Sequence, residues 1–218
     1  MKIKKHQNIF PALLTDDFSV IERRLKSVSG VYPIAQVDMC DGVFVPTRTF
    51  AGNGLLSDLE RLDALATGLH IKLEYDMMVS LEDEQTLRRW LRFFLKAESI
   101  HSIVLHIDST RNFDEIFKTL HDKHILLGLA ARLSHMDDEV LRIAGEHPFD
   151  YVQLMGIEEI GMGGQKLAKP IFARLENLKT QIRIPIHVDG GVTGRNMTKL
   201  FNSGADILAA GSMIFGKA

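Results

Sequence analysis

Short apolar runs alternate with longer amphipathic segments along most of the chain. Eight apolar or β-branched runs predict strands: Ile9–Leu14, Ile34–Met39, Leu69–Tyr75, Ser102–Ile107, Leu126–Ala131, Tyr151–Met155, Ile184–Val188 and Ile207–Ala210. Apolar residues at helical spacing predict helices over Phe18–Val28, Glu84–Lys96, Phe113–His121, Asp137–Glu146, Lys166–Leu178 and Asn196–Ser203. This alternation is typical of parallel strands joined by crossover helices, so the pattern predicts an α/β fold, a (β/α)8 TIM barrel.

The end of the sequence leaves little room for an eighth helix. Ala218 follows Ser212 by six residues, so the last helix is predicted to be truncated or absent. An uncovered apolar flank favours either a subunit contact, and hence a homo-oligomer, or cover by helical material from elsewhere in the chain. Because no linker or repeat divides the sequence, residues 1–218 are predicted to form a single domain.

Composition narrows the class of protein. A chain of 218 residues with 45% hydrophobic content can bury a large core, and a net charge of -2 with dispersed basic residues argues against nucleic acid as a partner. The sequence has neither a signal-peptide pattern nor an apolar run of membrane-spanning length, so we expect no membrane association and a cytoplasmic protein. The lone Cys40 cannot form an internal disulfide and suits a reducing compartment.

Glycine-rich turns follow the last two predicted strands. Gly190 and Gly191 follow the seventh strand, and Gly211 and Ser212 follow the eighth. Backbone N–H groups at such turns can approach a phosphate because no side chain intervenes, and these two loops often bind phosphate in a barrel. The turns therefore predict a small phosphorylated ligand.

Acidic residues lie at or just after the ends of the predicted strands: Asp38, Asp41, Asp76, Asp108 and Asp189. A single aspartate at such a place is more often a helix cap or a turn residue, and we interpret Asp41 in that way. Several carboxylates at one barrel mouth cannot all remain ionised unless a cation or a proton compensates them. The pattern therefore indicates a site for acid–base chemistry, a metal ion or both.

Several ordered motifs resemble the ribulose-phosphate 3-epimerase family. They are Val37-Asp38-Met39-Cys40-Asp41-Gly42-Val43-Phe44-Val45-Pro46, Thr49-Phe50, Gly163-Gly164-Gln165-Lys166, Val188-Asp189-Gly190-Gly191-Val192 and Ala210-Gly211-Ser212. Weaker matches, at Ile9–Leu14, Asp17-Phe18 and His106, extend the similarity over almost the whole chain. The resemblance implies an enzyme that inverts the carbon next to the carbonyl of a ketose phosphate.

The resemblance also implies roles for individual residues. Asp38 and Asp189 match the two acid–base residues of the family, which exchange protons with opposite faces of the substrate. The phosphate group would lie against the small-residue turns, formed here by Gly163, Gly164, Gly190, Gly191, Gly211 and Ser212. Met78 and Met155 are similar to methionines that line the family's site, although methionine at strand ends is also ordinary core filler.

The metal positions depart from the family pattern. Two histidines and two aspartates hold the ion in the family, and the matching positions here are Gln36, Asp38, Asp76 and Asp189. Oxygen donors at all four positions favour a divalent cation such as magnesium or manganese over zinc, or no ion at all.

Three further departures bear on the substrate. Ala12 replaces a serine that contacts substrate in the family, and two carboxylates, Glu158 and Glu159, occupy a loop where proline-glycine is usual. Near a phosphate these carboxylates would weaken binding unless they face water. Arg132 ends the fifth strand in place of Asn-Pro, where it could pair with a second anionic group or with a site aspartate, or could point outward from a loop.

The sequence therefore predicts a sugar-phosphate 3-epimerase, with ribulose 5-phosphate as the first substrate to consider. A catalytically silent family member that binds a phosphorylated metabolite is the main alternative, since the metal shell and the serine at position 12 are altered. An epimerase or isomerase for a different ketose phosphate, or an aldolase or decarboxylase on the same barrel, also stays open.

Overall fold

Eight parallel strands close into one barrel, with the strands in chain order around it, in the computed structural model, which describes residues 8–216. The strands are β1 (Ile9–Leu13), β2 (Ile34–Cys40), β3 (Lys72–Met78), β4 (Ile100–His106), β5 (Leu126–Ala131), β6 (Tyr151–Met155), β7 (Ile186–Asp189) and β8 (Ile207–Ala210). Pairing of β1 with both β2 and β8 completes the closure. The predicted (β/α)8 barrel is confirmed.

Helices follow the strands in alternation. They are α1 (Phe18–Val28), α2 (Leu56–Gly68), α3 (Glu84–Phe94), α4 (Phe113–Leu120), α5 (Asp137–Glu146), α6 (Ile171–Gln181), α7 (Met197–Asn202) and α8 (Ser212–Phe215). Within residues 8–216, no helix combines the length and the apolar character needed to cross a membrane.

Three elements differ most from the sequence-based expectation. Helix α2 was not predicted, although its buried Leu59, Leu62 and Ala66 have helical spacing. Strand β3 begins and ends three residues later than expected. Helix α6 begins at Ile171 rather than at Lys166, because Pro170 disfavours the helical conformation at Lys169 and has no N–H to donate.

The last helix is a single turn, α8, as predicted for a truncated element. Its Met213, Ile214 and Phe215 are partly buried against the apolar core. The subunit contact expected over this flank stays a prediction. The predicted domain covers residues 1–218, of which residues 1–7 and 217–218 lie outside the described part.

Side chains on the strands separate into two layers, because successive residues of a strand point to opposite faces. Val37, Leu73 and Val188 belong to the large apolar core that packs beneath the helices. The alternate positions fill the barrel interior, which combines a small apolar cluster around Met78 and Met155 with buried polar side chains. The apolar layer thus holds the helices to the sheet and leaves the interior available for chemistry.

Candidate active site

Three buried aspartates converge at the carboxyl ends of the barrel strands. One oxygen of Asp38, one of Asp76 and one of Asp189 all lie within 4.8 Å of one another. Register explains part of this convergence, because Asp38 of β2 is paired directly with Asp76 of β3. Asp38 and Asp189 line a cavity and keep 7% and 8% exposure, whereas Asp76 is fully buried. The convergence expected from the strand-end pattern is therefore present.

Burial and mutual repulsion disfavour ionisation of this cluster. Burial raises the pKa of Asp38 to about 8, and the nearby charge of Asp76 acts in the same direction. Burial and the charges of Asp38 and Asp76 also raise the pKa of Asp189 well above its ordinary value. The cluster consequently needs a proton or a cation at neutral pH.

Gln36 supplies an amide beside the carboxylates. Its Nε2 donates a hydrogen bond of 2.8 Å to Oδ1 of Asp38. Its Oε1 is buried and accepts no hydrogen bond from residues 8–216. Rotation of the amide would turn this oxygen towards the carboxylates, and a set of three carboxylates and one amide oxygen suits a hard divalent ion.

Two side chains donate hydrogen bonds to Asp76. His106 Nε2 donates to its Oδ1 at 2.8 Å, and Gln153 Nε2 donates to its Oδ2 at 3.1 Å. The sequence had suggested His106 only as a weak family match and had not suggested Gln153. Both occupy alternate positions of buried strands, where an apolar residue is the rule, and that pattern could have identified them.

A second polar group lies deeper in the barrel around Glu74, which the sequence did not single out. Ser102 Oγ and Tyr151 Oη donate to Oε2 of Glu74 at 2.7 and 2.6 Å. His187 stacks on the Tyr151 ring with 3.9 Å between ring centroids. Burial raises the pKa of Glu74 to about 7, against the effect of these two hydrogen bonds.

A cavity of about 80 Å³ lies above Asp38 and Asp189. All six residues of the predicted phosphate site line it: Gly163, Gly164, Gly190, Gly191, Gly211 and Ser212. Ala12, Met78 and Met155 line it as well, and their contact with substrate stays a prediction. The sequence analysis gave no site role to the remaining lining residues, of which some lie in the family motifs: Leu14, Ile157, Gly161, Met162, Gln165, Val192, Ala209 and Ala210.

Glycine is required where the turns meet the loop after β6. Gly190 and Gly191 have φ angles of 93° and 71°, in the region that side chains disfavour. A Cβ at Gly191 would also lie 2.5 Å from the backbone of Leu167. The close approach leaves backbone groups, rather than side chains, facing the cavity.

Hydrogen bonds of the Gln165 side chain link residues within the loop after β6. The side-chain amide of Gln165 accepts from the N–H of Glu159 and donates to the carbonyls of Glu159 and Met162. Ile160 packs into the small apolar cluster of the barrel interior. Glu158 and Glu159 are exposed, so the conflict with a phosphate that the sequence raised does not arise.

Arg132 lies outside the cavity. Its Nε is 3.4 Å from Oδ2 of Asp108, and its guanidinium lies over the Phe44 ring. It is not among the described residues that line the cavity, so the outward-pointing interpretation fits better than a pairing with a site aspartate. Asp41 accepts hydrogen bonds from the N–H groups of Val43, Phe44 and Ser80, which matches its interpretation as a turn residue.

Comparison with known proteins defines the family. Residues 8–215 match the profile described as the ribulose-phosphate 3 epimerase family, and the chain belongs to this family. A ribulose-phosphate 3-epimerase of Bacillus subtilis is 24% identical over 219 residues, which cover 96% of this chain and 93% of that protein. One from Aquifex aeolicus is 27% identical and covers 94% and 88%. The resemblance inferred from the motifs is confirmed, and with it an enzyme family of the isomerase class.

Solved structures extend the likeness at the level of fold. The tryptophan synthase complex from Pyrococcus furiosus aligns with a TM-score of 0.69 at 16% identity, covering 94% of this chain and 87% of that one. An identity this low shows a common barrel only.

Proposed function

We propose that this protein is a ribulose-phosphate 3-epimerase that inverts carbon 3 of a ketose phosphate by proton transfer through Asp38 and Asp189. One observation carries the proposal: the two aspartates that line the cavity are both buried, both have a raised pKa, and both lie beside the glycine turns. The choice of reaction follows the relatives, which are named ribulose-phosphate 3-epimerases.

Inversion of a carbon needs one carboxylate that accepts a proton and one carboxylic acid that donates a proton to the opposite face. The repulsion between Asp38 and Asp189 favours such an unequal state, because ionisation of one opposes ionisation of the other. In one direction Asp38 accepts and Asp189 donates, and in the reverse direction their roles exchange. The pair therefore serves both directions without a third acid or base.

A divalent cation fits the oxygens beside this pair. Asp38, Asp76 and Asp189 together with Oε1 of Gln36 would hold it, and the donor set favours magnesium or manganese over zinc. When bound, the ion would stabilise negative charge that develops on the substrate oxygens.

The glycine turns would anchor the phosphate end of the substrate. Backbone N–H groups at Gly163-Gly164, Gly190-Gly191 and Gly211-Ser212 come from three neighbouring loops around one cavity. Anchoring at this end orients the carbon between Asp38 and Asp189, and such positioning is a large part of catalysis.

A silent metabolite-binding protein is the second candidate, and one observation favours it. Both oxygens of Asp76 already accept hydrogen bonds, from His106 and Gln153, so this carboxylate could serve structure alone. Ala12 in the cavity wall, in place of the family's serine, leaves a different ketose phosphate open as the substrate.

Solvent exchange separates the enzyme from the binder. Incubation of ribulose 5-phosphate with the protein and Mn²⁺ in deuterium oxide should place deuterium at carbon 3 during epimerisation, followed by NMR. Asp38→Asn and Asp189→Asn should each lower the rate by about a hundredfold or more, because each removes one proton carrier.

Two carboxylates serve as controls for this experiment. Asp16→Asn changes an exposed aspartate and should leave the rate unchanged. Asp41→Asn should be milder than the catalytic variants, since its carboxylate binds backbone N–H groups. Binding of ketose phosphates without exchange or epimerisation would contradict the enzyme proposal and support a silent metabolite-binding protein.

A further inference from the structure

Arg24 of α1 lines a second cavity of about 330 Å³ beside the active site. This cavity shares six residues with the first: Ala12, Leu14, Gly163, Gly164, Gly211 and Ser212. Two of the three glycine turns therefore form a common wall between the catalytic cavity and Arg24. A phosphate bound at these turns would be accessible from both sides.

The charge of Arg24 has no acidic partner within residues 8–216. Its guanidinium lies over the Phe215 ring, 5.1 Å from the ring centroid, and no described carboxylate is within ion-pair distance. The next basic residue on the helix, Lys26, is by contrast paired with Glu22 at 2.7 Å. Partial burial and the adjacent charge of Arg23 lower the pKa of Arg24, so an anion at this place would relieve an unfavourable charge.

The catalytic cavity also lacks a countercharge for a phosphate dianion. Its charged lining residues in the described part of the chain are Asp38 and Asp189, both acidic. Across the two cavities, Arg24 is the only basic residue among the described lining residues. Backbone N–H groups can orient a phosphate, whereas a guanidinium adds a full positive charge and paired hydrogen bonds.

We propose that Arg24 binds the phosphate group of the sugar phosphate, completing from the second cavity the site that the glycine turns begin. The assignment rests on the proposed function for the identity of the sugar, but its chemistry is that of a phosphate dianion. Arg24 is thus a binding residue that the family motifs do not include, and it lies far along the chain from the glycine turns.

Arg24→Gln tests this role, with Arg23→Gln as the matched control. Both changes remove one positive charge from α1, but Arg23 is exposed and does not line either cavity. Calorimetric titration with inorganic phosphate should show about a 10- to 100-fold loss of affinity for Arg24→Gln, the usual range for a charged hydrogen bond. Arg23→Gln should match the wild type, and Arg24→Lys should fall between the two.

Kinetics gives a second readout. With ribulose 5-phosphate, Arg24→Gln should raise KM by a factor similar to the loss in phosphate affinity and leave kcat nearly unchanged, because the residue does not touch the reacting carbon. Equal phosphate affinity in Arg24→Gln and Arg23→Gln would overturn the assignment. Absence of turnover in the wild type would instead contradict the proposed function, while the phosphate titration would still decide the role of Arg24.

Discussion

Backbone groups form one side of the candidate active-site cavity, and side chains form the other. On the side proposed to bind phosphate, called the phosphate side below, glycine turns bring backbone groups to the cavity, and these turns lie within the residues that match the family profile. On the side proposed to bind a metal ion, called the metal side below, the groups are side chains, and two of the four positions, Gln36 and Asp76, differ from the residues that the family resemblance implies. The two proposed sites therefore tolerate different substitutions, because backbone groups are kept when side chains change.

Each side also depends on a different constraint. The phosphate side requires glycine where φ is positive and the loops touch, as at Gly191. The metal side requires the β2–β3 register that pairs Asp38 with Asp76 and the donors that hold Asp76 in place. Substitutions can therefore be chosen that disturb one side and leave the other intact.

The largest expected effect is on the metal side. Asp76→Asn should weaken Mn²⁺ binding by at least about 10- to 100-fold, the range seen when a residue that supports a metal site is lost. Inorganic phosphate should bind as in the wild type. Calorimetric titration with each ion checks both expectations.

Asp108→Asn is the matched control, since this carboxylate is exposed and lies outside the cavity. Unchanged Mn²⁺ affinity in Asp76→Asn would make Asp76 a structural residue and favour the silent binder. A parallel loss of phosphate affinity would break the separation between the two sides.

A smaller effect is expected on the phosphate side. Gly163→Val should weaken inorganic phosphate binding by about tenfold, comparable to one hydrogen bond to a charged group. A Cβ at Gly163 meets only Leu14, at 3.7 Å, so the change should alter the cavity more than the fold. Gly194→Val is the control, because a Cβ there meets nothing within 4 Å and Gly194 does not line the cavity. Mn²⁺ affinity that falls together with phosphate affinity would count against two separable sides.

The smallest effect is on the pH dependence of stability, to which Asp38 and Asp189 contribute together with the deeper Glu74. The pKa of Asp38 rises from 3.8 to about 8 on folding, so the folded protein without metal retains a proton that the unfolded chain has released. Stability should then fall as pH increases through neutrality, with Tm lower by about 5 °C near pH 8 than near pH 6.5.

The comparison of Tm begins at pH 6.5 because a buried histidine has the opposite effect on stability at lower pH. Burial lowers the pKa of His187 to about 3, which makes stability rise with pH below about 6.5 and would mask the aspartates. In chelator-treated protein, Asp38→Asn should flatten the fall above that pH, and saturating Mn²⁺ should do the same in the wild type. A slope that neither change reduces would assign the pH effect to other groups.

Much of the barrel could be predicted from the sequence, because strands buried on both faces leave continuous apolar runs and their helices leave periodic ones. The predicted elements differ from the observed ones where apolar runs and periodic segments are hard to tell apart. Helix α2 follows the long loop after β2 and carries two charged residues, Glu60 and Arg61, between its buried leucines. The start of β3 was misplaced because the apolar Leu69 and Ile71 precede the strand rather than belong to it.

The site was predictable where local motifs carry it and unpredictable where distant residues meet. Asp38, Asp189 and the glycine turns lie within motifs, whereas Gln153 reaches Asp76 from 77 residues away. Arg24 shows the same limit, because nothing in the sequence of α1 indicates that it borders the turns after β6 and β8. Arg132, by contrast, lies at a strand end where the sequence indicates a site, yet its side chain pairs with Asp108 of another loop.

The polar filling of the barrel interior has a consequence for how the protein folds. Hydrogen bonds from Tyr151 to Glu74 and from Gln153 to Asp76 each join residues 77 positions apart. Such contacts lower the free energy only after a large loop has closed, and closing that loop costs conformational entropy. We therefore expect them to form late in folding and to contribute little to the folding nucleus. The outer apolar layer can assemble while these carboxylates still keep their water. We therefore expect the polar interior of the barrel to be the last part to become ordered and the first to rehydrate when the barrel opens.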